Sequence, residues 1–253
     1  MLRWFEHSRV YFPLRDLEAT GAELGRPFED VFFKSRDGVE LNGWFYPAEK
    51  SSPRAHLAVL ICHGNAGNIS TRMGLYYALL KTGANVFAFD YRGFGRSQGR
   101  VGEEGTYLDA QAAHAWLRSK GLKNIIAYGE SLGGGVVSEL ALREPVRGVI
   151  LESTFTSIPD IGSELYPWLP VRLISSIKYD TRRKLPQLKV PVLIMHSPDD
   201  NLIGYRHSQQ NFAAANEPKF FCELKGGHCE AVWDQPGFRE AVERFLAVVE
   251  GTS

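Results

Sequence analysis

Asn124-Ile125-Ile126-Ala127-Tyr128-Gly129-Glu130-Ser131-Leu132-Gly133-Gly134-Gly135 is the stretch on which the reading of the fold turns. An apolar run of strand length meets a helix-like stretch, Leu132 to Arg143, and a serine stands at the junction. A serine on so sharp a strand-to-helix turn has its hydroxyl pushed outward, where a base can reach it. The flanking glycines let the helix close onto the strand. A second Gly-x-Ser-x-Gly occurs at Gly95-Arg96-Ser97-Gln98-Gly99, so context has to choose between them. The apolar run Val86 to Phe89 ends at Asp90, well before Ser97, and no amphipathic helix starts directly after Gly99. Ser97 therefore reads as a turn residue making local backbone hydrogen bonds, and Ser131 as the candidate nucleophile.

Working outward from Ser131, eight strand-like runs are expected. Phe28 to Lys34 and Val39 to Tyr46 flank Ser35-Arg36-Asp37-Gly38, whose Asp-Gly is a hairpin signal. Then come Leu57 to Cys62, Asn85 to Phe89, Asn124 to Tyr128, Arg147 to Leu151, Val190 to Met195 and Lys219 to Leu224. The middle runs are almost wholly apolar, as parallel strands covered on both faces must be. Helical patterns alternate with them over Arg72 to Lys81, Thr106 to Lys120, Leu132 to Arg143, Arg206 to Ala215 and Phe238 to Val249. The expected fold class is α/β, an eight-stranded, mostly parallel twisted sheet with helices on both faces, built as one domain over residues 1–253. Ligands on such a sheet bind at the carboxyl ends of its strands. One segment, Ser153 to Lys189, interrupts the alternation. It is broken by Pro159, Pro167, Pro170 and Pro186 and is rich in large apolar residues. It reads as a small cap inserted after the sixth strand, with Tyr166, Trp168, Leu169 and Leu173 as candidate substrate-binding side chains.

Composition narrows the function classes. Twenty-nine basic and twenty-nine acidic residues cancel, so no field favours nucleic acid or an anionic membrane. Three cysteines, Cys62, Cys222 and Cys229, suit a reducing compartment better than a disulfide framework. Cys229 beside His228 raises a thiol nucleophile as a rival, but neighbours in sequence do not generally face each other. No secretory signal and no apolar stretch long enough to span a bilayer are visible, which reads as a soluble, cytoplasmic protein. The aromatic-rich start, Trp4, Phe5, Tyr11 and Phe12, is expected to pack on the domain, with peripheral contact to a membrane surface as the alternative. Oligomeric state is not legible.

A serine hydroxyl needs a base to take its proton as it attacks, and the base is usually a histidine held by a carboxylate. His228 follows Lys225-Gly226-Gly227 in the loop before the last helix, where it can swing over the strand ends. His7, His56, His114 and His207 lie off those ends and read as surface or packing residues. For the carboxylate the contenders are Asp200, Asp199 and Glu152. Asp200 directly precedes the return to apolar residues, Asp199 suits closing the turn, and Glu152 suits anchoring the start of the cap. The oxyanion of a tetrahedral intermediate needs donors. The backbone N–H of Leu132 supplies one, and the loop His63-Gly64-Asn65-Ala66-Gly67-Asn68 the other, with Asn65 as the choice. A phosphate-cradling role for that loop is disfavoured because no Lys-Ser/Thr pair follows.

His63 to Asn68, Asp90-Tyr91-Arg92-Gly93-Phe94-Gly95-Arg96-Ser97, Gly129 to Gly134 and Leu151-Glu152-Ser153 together resemble the α/β-hydrolase superfamily, and within it the Bem46-like branch. The resemblance covers most of the chain from the first hairpin onward. It implies the order Ser131, Asp200, His228 for the catalytic residues. The family places its aspartate in a His-Gly-x-x-Asp context. Here Ser197 replaces the glycine, while His196 and Asp200 keep the spacing. The family's Gly-x-x-His element is matched less cleanly by Gly226-Gly227-His228. Some relatives carry an amino-terminal membrane anchor, and no stretch here has that length.

The resulting expectation is a serine hydrolase that cleaves carboxylic esters, or thioesters, of short to medium acyl chains through an acyl-enzyme. Its partner is a small-molecule ester, and the chemistry requires no metal or organic cofactor. A peptidase or amidase of the prolyl-oligopeptidase kind is one alternative, distinguishable by comparing ester and peptide substrates. A non-catalytic binding protein on the same scaffold is another, and labelling by a fluorophosphonate probe separates it.

Overall fold

The computed structural model describes residues 2–228, 230 and 232–251. Eight strands form one sheet: β1 (Glu29–Lys34), β2 (Glu40–Tyr46), β3 (Leu57–Cys62), β4 (Asn85–Phe89), β5 (Asn124–Glu130), β6 (Gly148–Glu152), β7 (Val192–His196) and β8 (Lys219–Glu223). Their order across the sheet is β1-β2-β4-β3-β5-β6-β7-β8. β1 pairs antiparallel with β2, and β2 antiparallel with β4. Every other neighbouring pair is parallel.

The alternation of side chains along each strand explains why the central runs are apolar throughout. In β3, Ala58, Leu60 and Cys62 enter one buried layer, while Leu57, Val59 and Ile61 enter the other. Both layers are closed by helices. Leu75, Tyr76 and Leu79 of α2 (Met73–Leu80) and Phe238, Val242, Phe245 and Leu246 of α9 (Pro236–Gly251) cover one face. α3 (Glu103–Ser119) and α4 (Leu132–Arg143) cover the opposite face through Ala110, Ala113, Val136 and Val137. Each fully buried Val, Leu, Ile or Phe contributes roughly 1.5–3 kcal/mol, so the two layers are the main source of stability.

Where sequence and structure differ, local contacts give the reason. The amino terminus forms a helix, α1 (Leu2–Val10), that periodicity did not signal. It is fixed from outside. The Glu6 carboxylate accepts hydrogen bonds from Ser175 Oγ, Ser176 Oγ and the N–H groups of Ser176 and Ile177. Of the four aromatics expected to pack on the domain, Tyr11 is buried, beside Val10, whereas Trp4, Phe5 and Phe12 stay exposed. Among the described residues no helix is long and apolar enough to cross a membrane. Segment 153–189 folds into α5 (Ile158–Leu165), α6 (Val171–Ile174) and α7 (Thr181–Lys184), with Pro167 and Pro170 between the first two. The remaining helix, α8 (Arg206–Ala214), packs beside β7.

Candidate active site

The turn from β5 into α4 is as tight as its glycines allow. A Cβ on Gly133 would stand 1.8 Å from the Cys62 carbonyl oxygen of β3, and one on Gly129 would stand 2.5 Å from the Gly133 carbonyl. Only bare backbone permits this approach of helix to sheet. Ser131 sits at the apex with φ 51° and ψ −113°, a conformation that costs a non-glycine residue about 1–3 kcal/mol. The turn is held by its neighbours. Ser131 N–H donates to the Glu152 carbonyl at 2.8 Å, and the Ser131 carbonyl accepts from Gly134 N–H and Thr154 Oγ.

Loops after β7 and β8 bring two more side chains to the same edge. His228 Nδ1 lies 2.8 Å from Asp200 Oδ2, and His228 Nε2 lies 3.1 Å from Ser131 Oγ. A carboxylate only accepts, so Nδ1 carries the proton and Nε2 is left to accept the Ser131 hydroxyl. Asp200 is held from several sides. Its Oδ1 accepts from Leu202 N–H at 2.9 Å and Ile203 N–H at 2.8 Å. His196 Nε2 stands 3.2 Å from Asp200 Oδ2 and 2.8 Å from the Ile203 carbonyl. Burial works against the Asp200 charge, but the hydrogen bonds from His196 and His228 outweigh it and hold the carboxyl well below the usual range. Asp199 is exposed and closes the turn through its N–H to Ser197 Oγ.

Glu152 is buried at the end of β6 and accepts from the Tyr128 hydroxyl. Its surroundings push its carboxyl up to about 7, first through burial and then through the nearby Glu130 charge. Ser97 Oγ donates to the Asp90 carbonyl at 2.6 Å and accepts from Asn42 N–H at 2.9 Å, the structural part a turn serine plays. His7, His114 and His207 each hold hydrogen bonds away from Ser131, and His56 is exposed. Cys229, the rival thiol, lies outside the described residues.

The loop after β3 is braced so that one donor remains free. Asn65 Nδ2 donates to the Val10 carbonyl, and the Asn65 carbonyl accepts from Phe12 N–H at 2.8 Å. Phe12–Pro13 then runs parallel to Ala66–Gly67. Asn68 accepts Ser70 N–H, and its amide reaches the Leu14 and Asp16 carbonyls. Arg72 joins this loop to the serine turn. Its guanidinium donates to the Ala66 and Asn68 carbonyls and to Glu130, the residue before Ser131, at 2.7 Å. Burial alone would raise the Glu130 carboxyl, but Arg72 holds it below the usual range. Asn65 N–H finds no partner among the described residues, and Leu132 N–H opens α4, where no intrahelical acceptor exists.

Asn65, Ser131 and Leu132 share a cavity of about 560 Å³. Its walls are apolar and come from the cap (Ile158, Ile161, Tyr166, Trp168, Leu169) and from α1 and its sequel (Phe5, Val10, Phe12). Leu173 does not reach it and is 87% exposed. The contribution of α1 was not foreseen, nor were His196 and Arg72 as supports. The only signal was indirect, aromatics clustered at the start of the chain and a histidine four residues before Asp200. Among the described residues no group of three or more His, Cys, Asp or Glu is placed to hold a metal ion.

A family model for the alpha/beta hydrolase fold matches residues 58–176. The alpha/beta hydrolase domain-containing protein WAV2 of Arabidopsis thaliana is 31% identical over 90% of this chain and 82% of its own length. The chain belongs to the α/β-hydrolase family. An uncharacterized protein of Mycobacterium tuberculosis, Rv2307c, is 35% identical over 97% of this chain and 89% of its own length. Among solved structures, the Pyrococcus furiosus esterase Pf2001 superposes with a TM-score of 0.77 at 22% identity, covering 94% of this chain and 98% of that one. That likeness carries the α/β-hydrolase fold, the sheet and helices described above.

Proposed function

We propose that the protein is a serine hydrolase of carboxylic esters, in one catalytic domain whose cap is segment 153–189, and that it falls in the Bem46-like branch of its family. The observation that carries the reading is the chain of contacts from Asp200 through His228 to Ser131 at the floor of an apolar cavity. Ser131 Oγ attacks the acyl carbon while His228 Nε2 takes its proton, and Asp200 stabilises the imidazolium that results. The charge on the former carbonyl oxygen is met by the Asn65 and Leu132 N–H groups. The C–O bond to the alcohol then breaks as His228 returns the proton to the leaving oxygen. A water, deprotonated by the same imidazole, releases the acyl group as a carboxylic acid and restores Ser131.

Tyr166, Trp168 and Leu169 are the proposed acyl contacts from the cap. The cavity volume lies in the range that takes a drug-sized ligand, so acyl groups longer than acetyl have room. The test is hydrolysis of p-nitrophenyl butyrate by the purified protein and by Ser131→Ala. Turnover should vanish in the variant while its circular dichroism is unchanged, and a variant that still turns over would remove Ser131 from the mechanism.

A further inference from the structure

Most of the large apolar side chains left exposed among the described residues gather in one place, with Phe32, Tyr77 and Leu142 lying apart. Phe5, Phe12, Leu165, Trp168, Ile174 and Leu202 are all exposed and all line the one cavity that holds Ser131. Trp4, 68% exposed, and Leu173, 87% exposed, extend this rim from α1 and α6 without lining the cavity. The rim thus draws on three separate parts of the chain: the amino-terminal segment, the cap, and the turn after β7. A contiguous apolar surface of this kind marks a place of contact rather than chance exposure.

Charge selects the kind of contact. Between Leu165 and Lys189 stand six lysines and arginines and one acid, Asp180, although the formal charges of the whole chain cancel; Arg182 and Lys184 are paired from outside this stretch by Asp160 and Glu139. Arg172 stands on α6 between cavity-lining Val171 and outward Leu173, its side chain 69% exposed and 3.2 Å from Asp160 Oδ1. Across the opening, exposed Arg9 lines the cavity and holds its guanidinium over the Phe5 ring at 5.2 Å. Aromatic and aliphatic side chains beside exposed arginines, on a segment of net positive charge, are the chemistry that settles into the headgroup layer of an anionic bilayer. Function favours the same occupant. A protein seated on this rim would stopper the opening, whereas a bilayer is itself a store of acyl chains and feeds the cavity it covers.

We propose that the cavity mouth docks on an anionic lipid bilayer, with Trp4, Trp168 and Leu173 seated at headgroup depth and the acyl ester drawn from the lipid into the cavity. The proposal rests on the hydrolase reading only for what happens to the chain once inside. Docking itself is read on Ser131→Ala, so binding and hydrolysis succeed or fail separately. The experiment is co-sedimentation of that variant with sucrose-loaded vesicles of phosphatidylcholine, or of phosphatidylcholine mixed with phosphatidylglycerol. Binding should be stronger to the mixed vesicles and weaken with added salt. Adding Trp4→Ser and Leu173→Ser should reduce vesicle affinity by roughly tenfold or more. In the presence of Ser131 the same pair should leave hydrolysis of soluble p-nitrophenyl butyrate unchanged, because neither side chain lines the cavity. Three results would overturn the proposal. One is no sedimentation with either vesicle, including the case where light scattering shows the rim sealed between two copies of the chain. The others are vesicle binding indifferent to the two substitutions, and an equal loss on the soluble ester.

Discussion

Asp200 owes its place to four side-chain contacts, and their arrangement dictates what a one-atom change does. Oδ2 receives His228 and His196, while Oδ1 receives two backbone N–H groups. In Asp200→Asn an amide that turns its NH2 toward His228 forces the ring proton onto Nε2, which then cannot accept from Ser131. Turnover should fall roughly ten-thousand-fold in kcat, whereas Asp199→Asn at the exposed turn should leave it near wild type. Steady-state kinetics on both variants decides between the two carboxylates. Glu152 gives a prediction in pH. Its carboxyl is raised from an ordinary value of 4.5 to about 7, so the stability it lends is fully present below the lower value and lost as pH rises through the upper one. Glu152→Gln keeps an acceptor for the Tyr128 hydroxyl and cannot ionise. Its melting temperature relative to wild type should therefore improve on going from about pH 5 to about pH 8, as read by scanning calorimetry. That Ser131, His228 and Asp200 meet at one edge of the sheet was legible because each follows the end of a strand, next to residues that make turns. His196 and Arg72 were not. Each is defined by partners that only the finished fold supplies: a neighbouring carbonyl for one, and a glutamate 58 residues away for the other.

At the scale of elements, the contact between α4 and the sheet carries the most weight, because it sets the apex on which Ser131 stands. Gly133→Ala would drive a methyl group into the Cys62 carbonyl, and backbone on both sides leaves nothing free to move. The loss of stability should reach the upper end of the ~1–3 kcal/mol that overpacking costs, measured as a shift of the urea midpoint at unchanged slope. The strands were readable to within a residue or two because runs of that length, apolar on both alternating faces, suit strands covered on both sides. The five long helices were readable because each buries a stripe at helical spacing. α1 escaped because its cohesion lies in tertiary contacts rather than in a pattern. It is held by Glu6 on the cap, by Asn65 at the Val10 carbonyl, and by the Tyr11 and Tyr179 hydroxyls 3.0 Å apart. The cap was readable as an interruption, but which of its side chains turn inward was not, since short helices between prolines can present either face. Trp168 lines the cavity and Leu173 does not, five residues apart in the same segment.

For the molecule as a whole, the two buried layers and the cavity answer different demands. The layers make the sheet rigid, so the side chains at its carboxyl edge stand on fixed supports. The cavity lies between α1, the cap and the turn after β7. If acyl chains lodge there, each methylene taken out of water favours the complex by about 0.8 kcal/mol. kcat/KM should therefore climb along a series of p-nitrophenyl esters from acetate to octanoate, severalfold per pair of carbons. A series that is flat or falls from acetate onward would show that the apolar walls do not hold the acyl group. Because the first twelve residues both wall the cavity and brace the loop that bears Asn65, trimming them or exchanging them with a relative's would alter chain preference and rate constant together. An engineer seeking to tune one alone should leave that stretch intact and work from the cap side.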